Sequence, residues 1–356
     1  MKHTRLHPSF AFNGTHFSEA ELITFAKKLQ IEGEDFEKVI GEFIVAWLSN
    51  TLTVTVKTSG STGTPKDILL QKKQMLASAQ ATGAFFNLSE GTSALLCLPA
   101  NYIAGKMMLV RAMVLGWDLH AVSPEKKALS QEDMNYDFAA MVPYQVFHSL
   151  DAIHKIKKLI VGGGAISSAL RSQLQEVSTQ VFETYGMTET ITHIAVKCTN
   201  GAMRSSVFTA LPNVSFVKDE RDCLVIEACN ISEEPVITND IVSLISDTAF
   251  TWLGRYDNVI NSGGVKLFPE TIEAKLSEMI KVPFVIIGEK DEALGERVVI
   301  VFEGQALSDI DTDEAFKSLK PFERPKKSYT LLKFPQTETG KVKREEISRR
   351  LKKNSD

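Results

Sequence analysis

Apolar positions recur at helical spacing twice within the first fifty residues. Ser18 stands as a candidate N-cap before a helix over 18–29, and Phe36, Ile40, Phe43 and Trp47 mark one face of a second over 34–48. The period then shortens to two: Leu52, Val54 and Val56 alternate with threonines and Lys57, which predicts a strand. Short apolar runs at 68–70, 94–98, 138–142, 159–161 and 181–182 follow, alternating with helical stretches such as 103–115 and 167–177. Alternation of this kind predicts a layered α/β domain. From 205 to 245 the pattern becomes strand-like, at 214–217, 224–227 and 242–245, with turn residues between, and predicts a β-rich subdomain. After Gly254 a small α+β unit begins: a helix carrying Ile272, Leu276 and Met279, strands at 284–287 and 298–302, a helix near 314–319, a strand at 329–332 and a basic helix from Arg344. The closing run KREEISRRLKKNSD reads as a solvated helix face and frayed end.

Composition narrows the class without choosing a function. The 356 residues, 44% hydrophobic and 24% charged, describe a globular chain of about two domains. Forty basic and 44 acidic residues leave a net charge of −4, so nothing global favours nucleic acid or an anionic membrane. No uncharged run reaches the ~18 apolar residues of a bilayer span, and the N-terminus has no continuous apolar segment of a secretory signal. A cytoplasmic protein without integral membrane association is expected. Cys97, Cys198, Cys223 and Cys229 lack metal-site or disulfide spacing, so reduced, buried thiols are expected.

Phosphate chemistry must then be local. Thr58-Ser59-Gly60-Ser61-Thr62-Gly63-Thr64-Pro65-Lys66 crowds hydroxyls, glycines and a lysine directly after a strand. Glycine lets backbone approach a phosphate, Ser and Thr donate to its oxygens, and lysine supplies charge. A polar hairpin turn is the simpler alternative. A Walker A loop is disfavoured, because Lys66 follows proline and precedes Asp67. Tyr185-Gly186-Met187-Thr188-Glu189-Thr190 offers a hydroxyl donor and a hard carboxylate ligand for Mg²⁺. Gly162-Gly163-Gly164 follows a strand and lets backbone pass beneath a base. Two further segments complete the set: Gly254-Arg255-Tyr256-Asp257-Asn258, running on to Ser262-Gly263-Gly264-Val265-Lys266, and Thr337-Glu338-Thr339-Gly340-Lys341.

In this order the segments resemble the acyl-adenylate-forming superfamily of acyl-CoA ligases, luciferases and peptide-synthetase adenylation domains, over about 52–341. The resemblance implies a large adenylation domain over 1–254 and a small mobile α+β domain over 255–356, hinged near Asp257. It implies that Thr58, Ser59, Gly60, Ser61, Thr62, Gly63, Thr64 and Lys66 hold the β- and γ-phosphates of ATP. Thr188 would contact the α-phosphate and Glu189 the Mg²⁺; Gly162, Gly163, Gly164 and Tyr185 would flank adenine, with Gly186 and Met187 in the same nucleotide segment. Asp240, in Thr238-Asn239-Asp240 where many relatives read Thr-Gly-Asp, would take the ribose with Arg255. Lys341 would stabilise charge in adenylation, and Gly263, Gly264 and Lys266 would line the path of CoA.

The acid is narrowed by two features. The chain is short for the superfamily, as though part of the usual N-terminal region were absent, and so resembles compact bacterial o-succinylbenzoate CoA ligases of menaquinone biosynthesis. In Tyr102-Ile103-Ala104-Gly105-Lys106-Met107-Met108-Leu109-Val110-Arg111, Ala104 replaces the serine of those ligases, while Arg111 is kept and is expected to pair with a second carboxylate. Gly105 and Lys106 are further candidates at the acyl site; a surface helix charge is the alternative for Arg111. His148, His154 and His193 have no ligand spacing and read as solvated or core residues, His193 alone lying near the predicted site. Trp47, Trp117 and Trp252 read as packing residues. The partners implied are a small carboxylic acid, ATP, Mg²⁺ and CoA, with no nucleic acid, and a homodimer is admitted. A ligase for another acid, an adenylation domain loading a carrier protein, and a non-catalytic nucleotide-binding protein are the competing readings.

Overall fold

The computed structural model describes residues 5–57, 67–129, 134–304, 312–336 and 342–353. The expected N-terminal helices form as α1 (Glu19–Glu32) and α2 (Asp35–Leu48). Ser18 caps α1 through a reciprocal capping box with Glu21, an arrangement that stabilises a helix by about 1 kcal/mol. The chain forms two compact units: Met1–Phe216 with Ile226–Val236 and Ser246–Ala249, and Val217–Val225 with Ile237–Ile245 and Phe250–Asp356.

The first unit contains β1 (Ala11–Phe12), β2 (Thr15–His16), the hairpin strands β3 (Thr53–Lys57) and β4 (Asp67–Gln71), and then β5 (Ser93–Leu96), β6 (Asp118–Ala121), β7 (Tyr136–Met141), β8 (Ile156–Val161), β9 (Gln180–Gly186), β10 (His193–Cys198) and β11 (Phe208–Ala210). Helices α3 (Lys72–Phe86), α4 (Ile103–Leu115), α5 (Pro143–His148) and α6 (Ser168–Gln173) lie between strands. The main sheet runs β11-β10-β9-β8-β7-β5-β6-β1-β2, with β6, β5, β7, β8 and β9 parallel and β10 turned against β9. The layered α/β expectation holds.

Parallel strands covered on both faces read as continuous apolar runs, and these do. Leu95, Ala139, Met141, Leu159 and Val161 point into a core closed by Leu170 and Leu174. On the opposite side Phe138 meets Phe86 of α3 at 5.6 Å and Trp117 at 5.5 Å between ring centroids. Helix α4 is buried along its whole face from Gly105 to Val114, as expected of a helix apolar all round. Gly105 is needed there because a Cβ would collide with the carbonyl of Pro99. Cys97, Cys198 and Cys223 are buried as expected, whereas Cys229 is exposed.

The second unit holds the second half of β12 (Ser215–Lys218) and most of β13 (Cys223–Glu227), β14 (Val236–Ser246) and β15 (Ala249–Arg255), paired in that order. It continues through β16 (Ile260–Ser262), β17 (Val265–Leu267), α7 (Pro269–Leu276), β18 (Phe284–Asp291), β19 (Gly295–Glu303), α8 (Thr312–Lys317), β20 (Lys327–Leu331) and α9 (Arg344–Lys353). Here β18 and β19 alternate faces. Ile286, Val298, Ile300 and Phe302 pack with α7 and α8, while Val285, Ile287, Val299 and Val301 pack with Ile347 and Leu351 of α9. The terminal helix is therefore not merely a solvated end. Arg344 anchors it, donating to both carboxylate oxygens of Glu273 at 2.6 Å and to the carbonyl of Ile286 at 2.8 Å. Among the described residues no helix is long and apolar enough to cross a membrane.

Burial raises the Glu273 carboxyl above its usual range even though Arg344 pulls it down, so the pair is held in a low-dielectric setting. Arg344→Ala would leave that carboxylate buried without its cation, and urea unfolding at neutral pH should show a loss of about 3 kcal/mol. The loss should shrink in acid, where Glu273 becomes neutral in both states.

Candidate active site

Ligands of open parallel sheets bind beyond the carboxyl ends of the strands. Two of the polar segments singled out above, 162–164 and 185–190, lie at those ends, after β8 and at the end of β9. Strand β8 stops at Val161 and gives way to Gly162, whose amide bonds the Met141 carbonyl at 3.1 Å; Gly163 then turns the chain with φ +78°. A Cβ on Gly162 would meet Thr184 Oγ1, a hydroxyl that donates to the Val161 carbonyl at 3.1 Å. Gly163 and Gly164 are exposed at the strand end.

Strand β9 carries Tyr185, half-buried against Phe208, and ends at Gly186. That glycine is obligatory, because the Thr192 carbonyl and the His193 backbone press on the place a Cβ would occupy. Beyond half-buried Met187 comes a short 3-10 turn, Thr188–Thr190. Thr188 is half-buried and Glu189 is exposed. Thr190 closes the turn: its buried hydroxyl accepts from Met187 N at 3.0 Å and reaches the Thr192 carbonyl at 2.8 Å. Among the described residues no three His, Cys, Asp or Glu side chains gather into a metal cage. An exposed carboxylate such as Glu189 is of the kind that can give Mg²⁺ a single protein ligand, phosphate oxygens and water completing the shell.

Arg111 does not lie on a surface helix face. It is 2% exposed, and its guanidinium donates from Nε to Thr82 Oγ1 at 3.3 Å, from Nη2 to Thr192 Oγ1 at 3.2 Å and His193 Nδ1 at 3.4 Å, and from Nη1 to the Met108 sulfur at 3.6 Å. Among the described residues no carboxylate pairs with it. Burial pushes its pKa down to about 9, which leaves it charged at neutral pH.

The cluster fixes a protonation state. Guanidinium is only a donor, so His193 Nδ1 must accept. The single Thr82 proton goes to the Ser78 carbonyl at 3.0 Å, so Thr82 accepts from His193 Nε2 at 3.4 Å. Both deductions give the neutral Nε2–H tautomer. Burial, and then the charge of Arg111, hold the His193 pKa well below 6.5. His193 is a core histidine at the site. Thr82 and Thr192 were not singled out in the sequence; the only trace is the small, hydroxyl-bearing stretch Ala77-Ser78-Ala79-Gln80-Ala81-Thr82 where a helix face would normally carry bulk.

Lys106 is not brought to this cluster. Its ammonium donates to the Ala100 carbonyl at 2.7 Å and lies 5.1 Å from the Phe43 ring centroid, and burial lowers its pKa. A polar recess of about 270 Å³ lined by Asn87, Glu90, Asp137, Lys157 and Lys158 is at the other, amino-terminal end of β7 and β8.

In the second unit Asp240 is buried, accepting from Trp252 Nε1 at 3.1 Å, with Arg255 at 3.7 Å. Trp252 is therefore a partner of the predicted ribose ligand as well as a packing residue. Arg255 also lies 3.9 Å from Asp257, to which Asn239 donates at 3.4 Å. Gly263 and Gly264, with φ of +57° and +81°, form the two-residue turn between β16 and β17, next to exposed Lys266. The phosphate-loop candidates at 58–66 and Lys341 lie outside the described residues. Their flanks are described: Lys57 pairs with Asp67 across the β3–β4 hairpin, and Gln336 bridges to Val342.

The His193 tautomer has a measurable consequence. In the unfolded chain the ring titrates near 6.5, and in the folded protein well below it. The stability it contributes is fully present above about pH 6.5 and falls with acid by about 1.4 kcal/mol per pH unit down to the folded pKa. His193→Gln keeps an acceptor for Arg111 without a titrating ring, so urea midpoints of wild type and variant should converge as pH drops from 6.5 to 5.

The sequence model for the AMP-binding enzyme family matches residues 21–224, more than half of the chain. The 2-succinylbenzoate–CoA ligase of Escherichia coli K12 is 28% identical over 325 residues, covering 86% of this chain and 70% of that protein. A solved acyl-CoA synthetase (AMP-forming)/AMP-acid ligase II-like protein from Dyadobacter fermentans is 34% identical, with a TM-score of 0.64, and the match spans 92% of this chain and 98% of that one. The o-succinylbenzoate CoA synthetase of Bacillus subtilis, solved with its acyl-adenylate, has the same fold at a TM-score of 0.74 and 16% identity, covering 95% of each chain. On these matches the chain belongs to the AMP-binding enzyme family, as an AMP-forming acid–thiol ligase.

Proposed function

We propose that the acid is o-succinylbenzoate, activated by ATP and Mg²⁺ as its acyl-adenylate and then transferred to CoA. The observation that carries this reading is the buried guanidinium of Arg111, held by two hydroxyls, a thioether and a neutral imidazole, with no carboxylate beside it among the described residues. A buried cation without a counter-ion is costly, and an acid with a second carboxylate supplies one. A monocarboxylic acid leaves that charge unanswered. The relatives named for 2-succinylbenzoate support the same choice.

In this reading the reacting carboxylate attacks the α-phosphorus of an anionic triphosphate, so cations and donors must offset repulsion as charge builds. Thr188 donates to the α-phosphate, and Glu189 holds Mg²⁺, which supplies charge neutralisation at the phosphates. Gly162, Gly163 and Gly164 with Tyr185 flank the base, and Asp240 and Arg255 take the ribose hydroxyls. Residues 58–66 and Lys341 supply the remaining phosphate donors and charge. The Gly263-Gly264 turn and Lys266 receive CoA, and the segment at Asp257 is the hinge between half-reactions.

Incubation with ATP, Mg²⁺, CoA and o-succinylbenzoate should give AMP and o-succinylbenzoyl-CoA by mass spectrometry, with little product from benzoate or a fatty acid. Product from another acid only would discard the assignment. Arg111→Ala should raise KM for o-succinylbenzoate roughly 30- to 100-fold, the range of a lost charged hydrogen bond, and leave KM for ATP nearly unchanged. Lys341→Ala should lose most adenylation yet still convert supplied acyl-adenylate and CoA to thioester; equal loss of both steps would contradict its role.

A further inference from the structure

Ile191 occupies a backbone conformation that a β-branched residue rarely adopts. Its φ of +64° and ψ of −63° describe a γ-turn of the rare, strained hand, closed by the Thr192 amide on the Thr190 carbonyl at 2.7 Å. Nothing local in the sequence asks for it. Glycine or asparagine would adopt a positive φ at lower cost, and the Ile191 side chain is 1% exposed. Such a conformation persists only where the surroundings over-determine it, and here they do. The Thr190 hydroxyl bonds the Thr192 carbonyl at 2.8 Å, Gly186 admits that same carbonyl where a side chain would stand, and Thr192 Oγ1 is held by Arg111 at 3.2 Å and Ser78 at 3.2 Å.

The strained residue lies between two groups with different tasks. On one side, two residues back, is Glu189; on the other are Thr192 and His193, both bonded to Arg111. We infer that the Ile191 turn is a spacer fixing the distance between the phosphate end of the site and the Arg111 end, so that Ile191 is a positioning residue that sets the length of dicarboxylic acid accepted. The inference rests on the proposed pairing of Arg111 with the acid's second carboxylate and adds to it a length selection. A turn of ordinary geometry is free to breathe; one held on three sides in a strained state has a single span. An acid one methylene too long would then have to break either its reacting geometry or its ion pair.

The test compares Ile191→Gly with Ile191→Ala, on o-succinylbenzoate and on its o-glutarylbenzoate homologue, one methylene longer. Both variants lose the same packing, but only glycine is relieved of the strain. The glycine variant should melt about 3 °C or more above the alanine variant, the reverse of their order at an ordinary loop position. Wild type should prefer the shorter acid at least tenfold in kcat/KM, the scale of discrimination that one methylene allows. Ile191→Ala should keep that preference, and Ile191→Gly should reduce it to about threefold or less with KM for ATP unchanged. Thr190→Val, which removes the hydroxyl brace without altering Ile191, should also reduce the preference and serves if the Ile191 variants fold poorly. A preference retained in both Ile191→Gly and Thr190→Val, or an alanine variant more stable than the glycine one, would overturn the spacer role. Turnover of neither acid by wild type would instead defeat the proposed substrate, and the spacer role with it, while the glycine-to-alanine melting order would still report the strain.

Discussion

A guanidinium sealed from water must have its donors answered, and the arrangement of the first unit around Arg111 follows from that requirement. Two hydroxyls, a sulfur and an imidazole meet it, drawn from α3, α4 and the start of β10. None of them carries negative charge. The arrangement satisfies hydrogen bonding while leaving the charge without a counter-ion among the described residues, the condition that the proposed pairing with a second carboxylate requires. Arg344 provides the contrast within the same chain. Its fork meets both oxygens of Glu273, and the pair only fastens a helix.

The apolar skeleton was largely legible because its periods are unbroken. Helix α4 begins and ends at the expected residues, since Ile103 to Leu115 is uninterrupted and Gly116 follows in the left-handed conformation that stops a helix. The polar segments were legible through their order. What escaped was set by tertiary contact. Strands β10 and β11 carry no marked alternation, and β10 exists because β9 offers it a partner after a tight reversal. That reversal is invisible in Thr190-Ile191-Thr192, which has neither glycine nor asparagine to announce a positive φ. Thr82 was equally hidden, a hydroxyl among alanines whose role appears only when Arg111 is brought against it.

The side taken by Arg111 and Lys106 illustrates why helical position alone was not enough. Five positions apart on one helix, they point to different surroundings, Lys106 toward Phe43 and the Ala100 carbonyl and Arg111 toward β10. Sequence spacing separated them; it did not say which of the two would face the segment after β9. Nor did it reveal that the whole helix is buried, so that both cations were bound to have interior partners.

The forced tautomer of His193 carries one more implication. Because Arg111 can only give protons and Thr82 has already given its own to Ser78, the hydrogens of this part of the cluster have one low-energy ordering. Most polar pockets keep several such orderings and must select among them when a ligand arrives. Here the selection is made during folding, so a carboxylate in the proposed pairing with Arg111 would meet an electric field already aligned, and a ligand that needed a hydrogen-bond donor at His193 Nδ1 would find only a lone pair committed to Arg111.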